Sequence, residues 1–83
     1  MERQQFIETW FCRRWRVSKN GALFQNIRGY NVAVMPDHNE PEYWKWSIRL
    51  LGHESGDWGD QKFDTEEQAK WAVLQALATR LGY

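Results

Sequence analysis

The chain of 83 residues is long enough for one domain and too short for a second hydrophobic core. Eleven Lys and Arg residues balance eleven Asp and Glu residues, so the overall basicity that is typical of nucleic-acid-binding domains is absent.

A single cysteine excludes an internal disulfide framework. No apolar run is long enough to span a membrane, and the N-terminus has no signal-peptide pattern, so we expect a cytoplasmic protein with no membrane contact.

The N-terminal segment, residues 1–16, permits two interpretations. Apolar side chains between Phe6 and Phe11 fall on one face of a short helix. From Phe11 to Val17, however, the apolar residues alternate as they would in a strand. We expect a short helix that leads into an extended segment at Trp15–Ser18, with a strand as the alternative.

The strongest pattern in the chain is the alternation in Tyr43–Leu50. Trp44, Trp46 and Ile48 fall on one side of a strand, and polar residues fall on the other. Two tryptophans on one side predict that this side is buried, since each aromatic ring can bury ~150–250 Å². The other strands that we expect within an antiparallel sheet over residues 17–63 are Ala22–Arg28, Tyr30–Met35 and an edge strand at Trp58–Phe63.

The pattern changes to helical spacing at residues 64–81. Asp64 is a candidate N-cap with Glu67 three residues later, and Gly82 is a typical C-terminal stop. Ala69, Val73 and Leu77 lie on one apolar stripe.

A sheet followed by one amphipathic helix predicts a single two-layer α+β domain over residues 1–83, with three or four antiparallel strands packed against the helix.

No set of residues forms a recognisable catalytic or metal-binding motif. His38 and His53 lie in predicted loops without metal-ligand spacing around them. Asp57, Asp60 and Asp64 are explained as residues of a loop, an edge strand and a helix cap. We therefore expect no enzymatic activity, no bound metal and no small-molecule cofactor.

The charges are spread unevenly along the chain. Residues 1–50 hold eight Lys and Arg against five Asp and Glu, whereas residues 51–83 hold three against six. If the helix covers the Trp46 side of the sheet, Lys45 and Arg49 lie on the opposite side with Arg28 nearby. Cations on a sheet can contact phosphates and base edges. The candidate nucleic-acid-binding residues are Arg28, Lys45 and Arg49, with Arg13, Arg14 and Arg16 as further phosphate contacts.

Two stretches carry a resemblance to a known family. Lys45-Trp46-Ser47-Ile48-Arg49, followed by Trp58-Gly59 and Phe63-Asp64-Thr65-Glu66-Glu67-Gln68-Ala69, resembles the AP2/ERF DNA-binding domain and the related arm-binding domains of phage integrases. This resemblance implies a three-stranded antiparallel sheet whose outward face reads duplex DNA, with contacts at Arg28, Lys45 and Arg49. The layout is also similar to small bacterial and phage domains, a likeness that implies no activity.

Two functions follow as hypotheses, both of them non-catalytic. The first is a module for protein–protein contact or homo-oligomerisation through exposed aromatic residues and an open sheet edge, which the zero net charge favours. The alternative is binding of duplex DNA through the outward sheet face, which the basic residues and the AP2-like stretches favour.

Overall fold

The structure, a computed structural model, describes residues 2–53 and 55–83. In chain order, one helix comes first, five strands follow and a second helix comes last. All neighbouring strands are antiparallel, and their order in the sheet follows their order in the chain. The α+β class, the antiparallel sheet, the C-terminal helix and the short N-terminal helix are confirmed. The elements are α1 (Arg3–Cys12), β1 (Arg16–Val17), β2 (Leu23–Ile27), β3 (Tyr30–Pro36), β4 (Trp44–Leu50), β5 (Asp57–Trp58) and α2 (Glu66–Arg80).

The two outer strands are short, which is where the sheet differs from the prediction of three or four strands. β1 and β5 have two residues each. The predicted edge strand at Trp58–Phe63 is instead β5 followed by a single bridge between Trp44 and Phe63. Edge strands of two residues present few unpaired backbone groups to other chains.

A two-residue turn joins β2 to β3, with Arg28 and Gly29 at its centre. Both residues have positive φ, 49° and 85° respectively. Positive φ at both central positions is the geometry of a type I′ turn, which matches the twist of the two flanking strands. Arg28 is therefore a turn residue, and the register of β2 and β3 follows from Ile27 facing Tyr30.

The hydrophobic core lies between one face of the sheet and the two helices. Val32 and Val34 on β3 face Ile48 and Trp46 on β4, so the tryptophan side of β4 is the side that the helices cover, as the alternation predicted. α2 packs across β3 and β4. The buried apolar residues are Phe6, Ile7, Trp15, Ile27, Val32, Val34, Ile48, Ala69, Val73, Leu74, Leu77 and Ala78.

The N-terminal helix is held mainly by α2 and the C-terminus. Phe11 stacks on Trp71 with ring centroids 4.9 Å apart, and Phe6 stacks on Tyr83 at 4.6 Å. Offset aromatic pairs of this kind contribute about 0.5–1.5 kcal/mol each beyond the area that they bury. The expected short helix is therefore correct for Arg3–Cys12, and the chain after it is extended, with β1 at Arg16–Val17.

Helix α2 begins one residue later than the sequence indicated. Thr65 is the N-cap: its hydroxyl accepts a hydrogen bond from the Gln68 backbone N–H, and the Gln68 side chain accepts from the Thr65 backbone N–H. This reciprocal pair satisfies two backbone donors that the first turn would otherwise leave unpaired. The predicted cap at Asp64 with Glu67 is wrong by one position, because the capping box is formed by Thr65 and Gln68.

Candidate nucleic-acid interface

One face of the sheet is not covered by either helix, and we call it the outer face. Successive side chains of a strand point to opposite faces, so the register assigns each strand residue to one face or the other. Among the described strand residues of this face there are three cations and no Asp or Glu, although the chain as a whole is neutral. Its strand residues are Arg16, Phe24, Asn26, Asn31, Ala33, Met35, Lys45, Ser47, Arg49 and Trp58.

Lys45 is already engaged on this face. Its ammonium lies 3.7 Å from the Asp37 carboxylate and 5.0 Å from the ring centroid of Trp58. The cation–π contact attracts the ammonium to the indole face, and Asp37 compensates the charge. Of the two β4 cations predicted for this face, Lys45 is therefore the one with a local counter-charge.

Asp37 organises the loop between β3 and β4. Its Oδ2 accepts hydrogen bonds from the backbone N–H groups of Glu40, at 2.9 Å, and Asn39, at 3.1 Å. The Glu40 N–H is the main reason that the pKa of Asp37 lies below its usual value. Asn39, Lys62 and Lys45 act in the same direction, and partial burial opposes them. The carboxylate stays ionised at neutral pH.

Arg49 is exposed, and no carboxylate among residues 2–53 and 55–83 forms an ion pair with it. It borders a small recess on the outer face with a volume of about 260 Å³. We call this the Trp58 recess, since the indole of Trp58, 56% exposed, forms one wall. Its lining residues are Asn31, Ser47, Arg49, Gly56 and Trp58.

A second and larger concavity lies at the β2 side of the sheet, and we call it the arginine groove. Its volume is about 430 Å³. The groove is lined by Trp10, Arg13, Arg14, Arg16, Phe24, Gln25 and Asn26. Three guanidinium groups, two aromatic rings and two amides form its walls, and the lining includes no acid. The groove therefore combines positive charge with flat aromatic surface.

Local structure explains why the groove forms. Helix α1 ends at Cys12, and the chain becomes extended at Arg13, whose guanidinium lies 4.6 Å from the centroid of the Trp10 ring. The Gln25 side chain donates a hydrogen bond to the Trp10 carbonyl at 2.9 Å, which fixes the end of α1 against β2. Because β1 pairs only with Leu23 and Phe24, the next two residues of β2, Gln25 and Asn26, border the groove together with Phe24.

The arginine groove and the Trp58 recess are connected across the sheet. Asn26 belongs to the groove and Asn31 to the recess, and the two residues face each other on β2 and β3. The Asn31 side chain donates to the Asn26 side-chain oxygen at 3.1 Å. A continuous polar path therefore leads from the arginines at one edge of the sheet to Trp58 at the other.

Arg28 is the candidate residue that the structure places elsewhere. Its guanidinium lies over the rings of Phe6, at 5.5 Å, and Tyr83, at 5.2 Å, on the helix side of the molecule. It is thus separated from Lys45 and Arg49, next to which the sequence had placed it. The positive φ of the turn directs the chain there.

The remaining polar candidates show no clustering for chemistry. His38 and His53 are exposed, and Asp57 pairs with Arg80 on the helix side. Cys12 is exposed. In the described ranges, His, Cys, Asp and Glu residues form no group of three that could hold a metal ion, and no helix has the length and apolarity that a membrane crossing needs.

Four of the site residues were not identified from the sequence: Trp10, Phe24, Asn26 and Trp58. Phe24 and Asn26 lie on one side of β2 by simple alternation, so a full assignment of that strand would have found them. Trp58 was placed on an edge strand but not assigned to a site. Trp10 was assigned to packing alone, and its role in the groove depends on where α1 ends.

Comparisons with protein-family models, with curated proteins and with solved structures found no match. The resemblance to AP2/ERF and integrase arm-binding domains therefore stays a prediction. The candidate site depends on the geometry of this chain alone.

Proposed function

We propose that the protein is a non-catalytic module that binds nucleic acid, with phosphates in the arginine groove and the rest of the ligand across the outer face. The observation that carries the proposal is the groove itself: Arg13, Arg14 and Arg16 line one concavity with no acid in its walls. One guanidinium group can donate two parallel hydrogen bonds to phosphate oxygens, and it stays charged at all physiological pH values. Phosphate neutralisation supplies most of the affinity in such modules.

The zero net charge of the chain is compatible with this proposal because the charges are separated in space. Two acids beside the sheet are paired with cations: Asp37 with Lys45 and Lys62, and Asp57 with Arg80 on the helix side. At physiological ionic strength, exposed charges farther apart than ~8 Å are largely screened from one another. A phosphate in the groove is therefore attracted by the nearby arginines more than it is affected by the net charge of the chain.

Protein contact or homo-oligomerisation is the second candidate, and the exposed apolar residues favour it. Val17, Leu50, Leu51 and Trp58 are all between 39% and 69% exposed. They do not form one patch, however, because Val17 is on β1 and Trp58 on β5, at opposite edges of the sheet. Strands spaced ~4.8 Å apart put these edges about 19 Å from each other. Scattered apolar residues are normal on a surface.

The test is the salt dependence of binding, compared between two variants that each remove one positive charge. Arg14→Gln changes the groove, and Arg80→Gln changes the C-terminal end of α2, on the opposite side of the sheet. Binding of a fluorescent mixed-sequence oligonucleotide is followed by anisotropy over a series of salt concentrations. Arg14→Gln should lower the slope of log Kobs against log salt by about 0.7–0.9, whereas Arg80→Gln should leave it unchanged.

A triple variant, with Arg13, Arg14 and Arg16 all changed to Gln, should lower the slope by about 2–3. Equal effects of Arg14→Gln and Arg80→Gln would mean that only net charge matters, and the groove would not be the site. Absence of salt-dependent binding would contradict the proposal altogether. Sedimentation equilibrium on the same samples measures the second candidate, since homo-oligomerisation appears there as a mass that rises with concentration.

A further inference from the structure

We propose that the nucleic acid is single-stranded, and that one unstacked base lies against Trp58 in the Trp58 recess. This inference rests on the proposed function and names its ligand class. Three features of the described residues carry it: the way the indole is held, the size and polar groups of the recess, and the width of the sheet.

The indole of Trp58 is held with its surface presented outward. Trp58 faces Ser47 in the register, and Lys45 and Arg49 are the next outer-face residues of β4 on either side of Ser47. Lys45 lies over the ring, and Arg49 belongs to the recess. The ring is 56% exposed, so its area is not used by the hydrophobic core. An exposed aromatic ring beside cationic side chains is the arrangement on which single-stranded bases stack.

The recess has the size and polarity for a base. Its volume of about 260 Å³ is just below the ~300–1,000 Å³ of pockets that enclose drug-sized ligands, so it fits a single base better than a whole cofactor. Asn31 uses an N–H toward Asn26, and its carbonyl oxygen is an acceptor for a base amino group. The Ser47 hydroxyl donates or accepts, and Arg49 donates. These groups match base edges, which in a single strand are accessible.

The width of the sheet favours a single strand over a duplex. Four strand spacings of ~4.8 Å separate β1 from β5, about 19 Å in total. The major groove of B-DNA is ~12 Å wide and admits a two-stranded ribbon, so the whole outer face does not enter it. A single strand instead follows the polar path from the arginine groove through Asn26 and Asn31 to Trp58. At the stacked spacing of ~3.4 Å, this path corresponds to about six nucleotides or fewer.

The experiment compares four labelled ligands of one mixed sequence, each about 12 nucleotides or base pairs long: single-stranded DNA, single-stranded RNA and the two corresponding duplexes. Each is titrated with the wild type and with Trp58→Ala, Trp58→Phe and Leu51→Ala. Leu51 is an exposed apolar residue outside the outer-face strands and serves as the control. Thermal melting of each variant confirms that it is folded.

At least one single strand should bind more tightly than its duplex, and the preferred sugar identifies the ligand as DNA or RNA. Trp58→Ala should weaken binding of that strand by about 5- to 150-fold, the range for loss of one stacked base. Trp58→Phe should retain part of the affinity, and Leu51→Ala all of it. The salt slope should not change in Trp58→Ala, because no phosphate contact is removed.

Duplexes that bind as tightly as single strands, or a Trp58→Ala protein with unchanged affinity, would overturn this inference and leave the proposed function in place. A wild-type protein that binds none of the four ligands in a salt-dependent way would overturn both.

Discussion

Gly56 tests whether β5, which carries Trp58, is held against β4 as described. A Cβ at this position would lie 2.6 Å from the Ile48 carbonyl oxygen and 3.0 Å from the Arg49 Cβ. Carbon–oxygen contacts are normally no shorter than ~3.3 Å, so Gly56→Ala needs a shift of about 0.7 Å. The obstacle is the backbone of β4, which cannot rotate away as a side chain can.

The shift separates the pairs that β5 makes with Ser47 and Ile48. Overpacking of this kind costs about 1–3 kcal/mol. A chain of this length has a free energy of unfolding of about 4–12 kcal/mol, and each kcal/mol corresponds to ~4–8 °C in Tm. We expect the Tm of Gly56→Ala, measured by circular dichroism, to fall by about 5–20 °C. The neighbouring exposed Ser55→Ala is the control, with no expected change. Equal melting of the two variants would refute the close approach of β5 to β4.

Three further variants test the remaining parts of the structure. The lowered pKa of Asp37 means that its carboxylate stabilises the fold above about pH 4, the pKa of unfolded Asp, and that this contribution is lost as the pH falls through the lower folded value. Asp37→Asn should therefore melt below the wild type at pH 7, and the difference should narrow in melts below about pH 4. A difference independent of pH would contradict the ionic role. Arg28→Gln should destabilise the fold by about 0.5–1 kcal/mol through its lost contacts with Phe6 and Tyr83, without changing the salt slope of binding. A reduced slope would place Arg28 in the site after all. Thr65→Ala should lose about 0.5–2 kcal/mol in denaturant titrations, and wild-type stability would show that the capping box contributes nothing.

Most of the fold follows from local patterns in the sequence. The alternation in Tyr43–Leu50 identified the buried face correctly because burial on one side of a strand imposes a period of two. The stripe from Ala69 to Leu77 identified α2 for the analogous helical reason. Boundaries were less accurate. β5 has only Asp57 and Trp58, and beyond it the chain stays on β4 only through the hydrogen bond from the Gly59 N–H to the Trp46 carbonyl and the bridge between Trp44 and Phe63.

The site was only partly predictable, because its two concavities combine residues that are distant in sequence. Lys45 and Arg49 were assigned to the outer face by alternation alone. The arginine groove, in contrast, needs the end of α1 to lie beside β2, which depends on the contact of Gln25 with the Trp10 carbonyl. Arg28 was misplaced because a positive φ is uncommon for a residue other than glycine, and only the turn geometry reveals it.

The most direct test of nucleic-acid binding through the outer face is an amide-shift titration of isotope-labelled protein with a short single-stranded oligonucleotide, at low salt and again near physiological salt. We predict that shifts concentrate in residues 13–16, 24–26, 31, 47–49 and 56–58, and that they weaken as salt is added. Helix α2, on the opposite side of the sheet, should not respond. Shifts along α2, or none at low salt, would contradict the account.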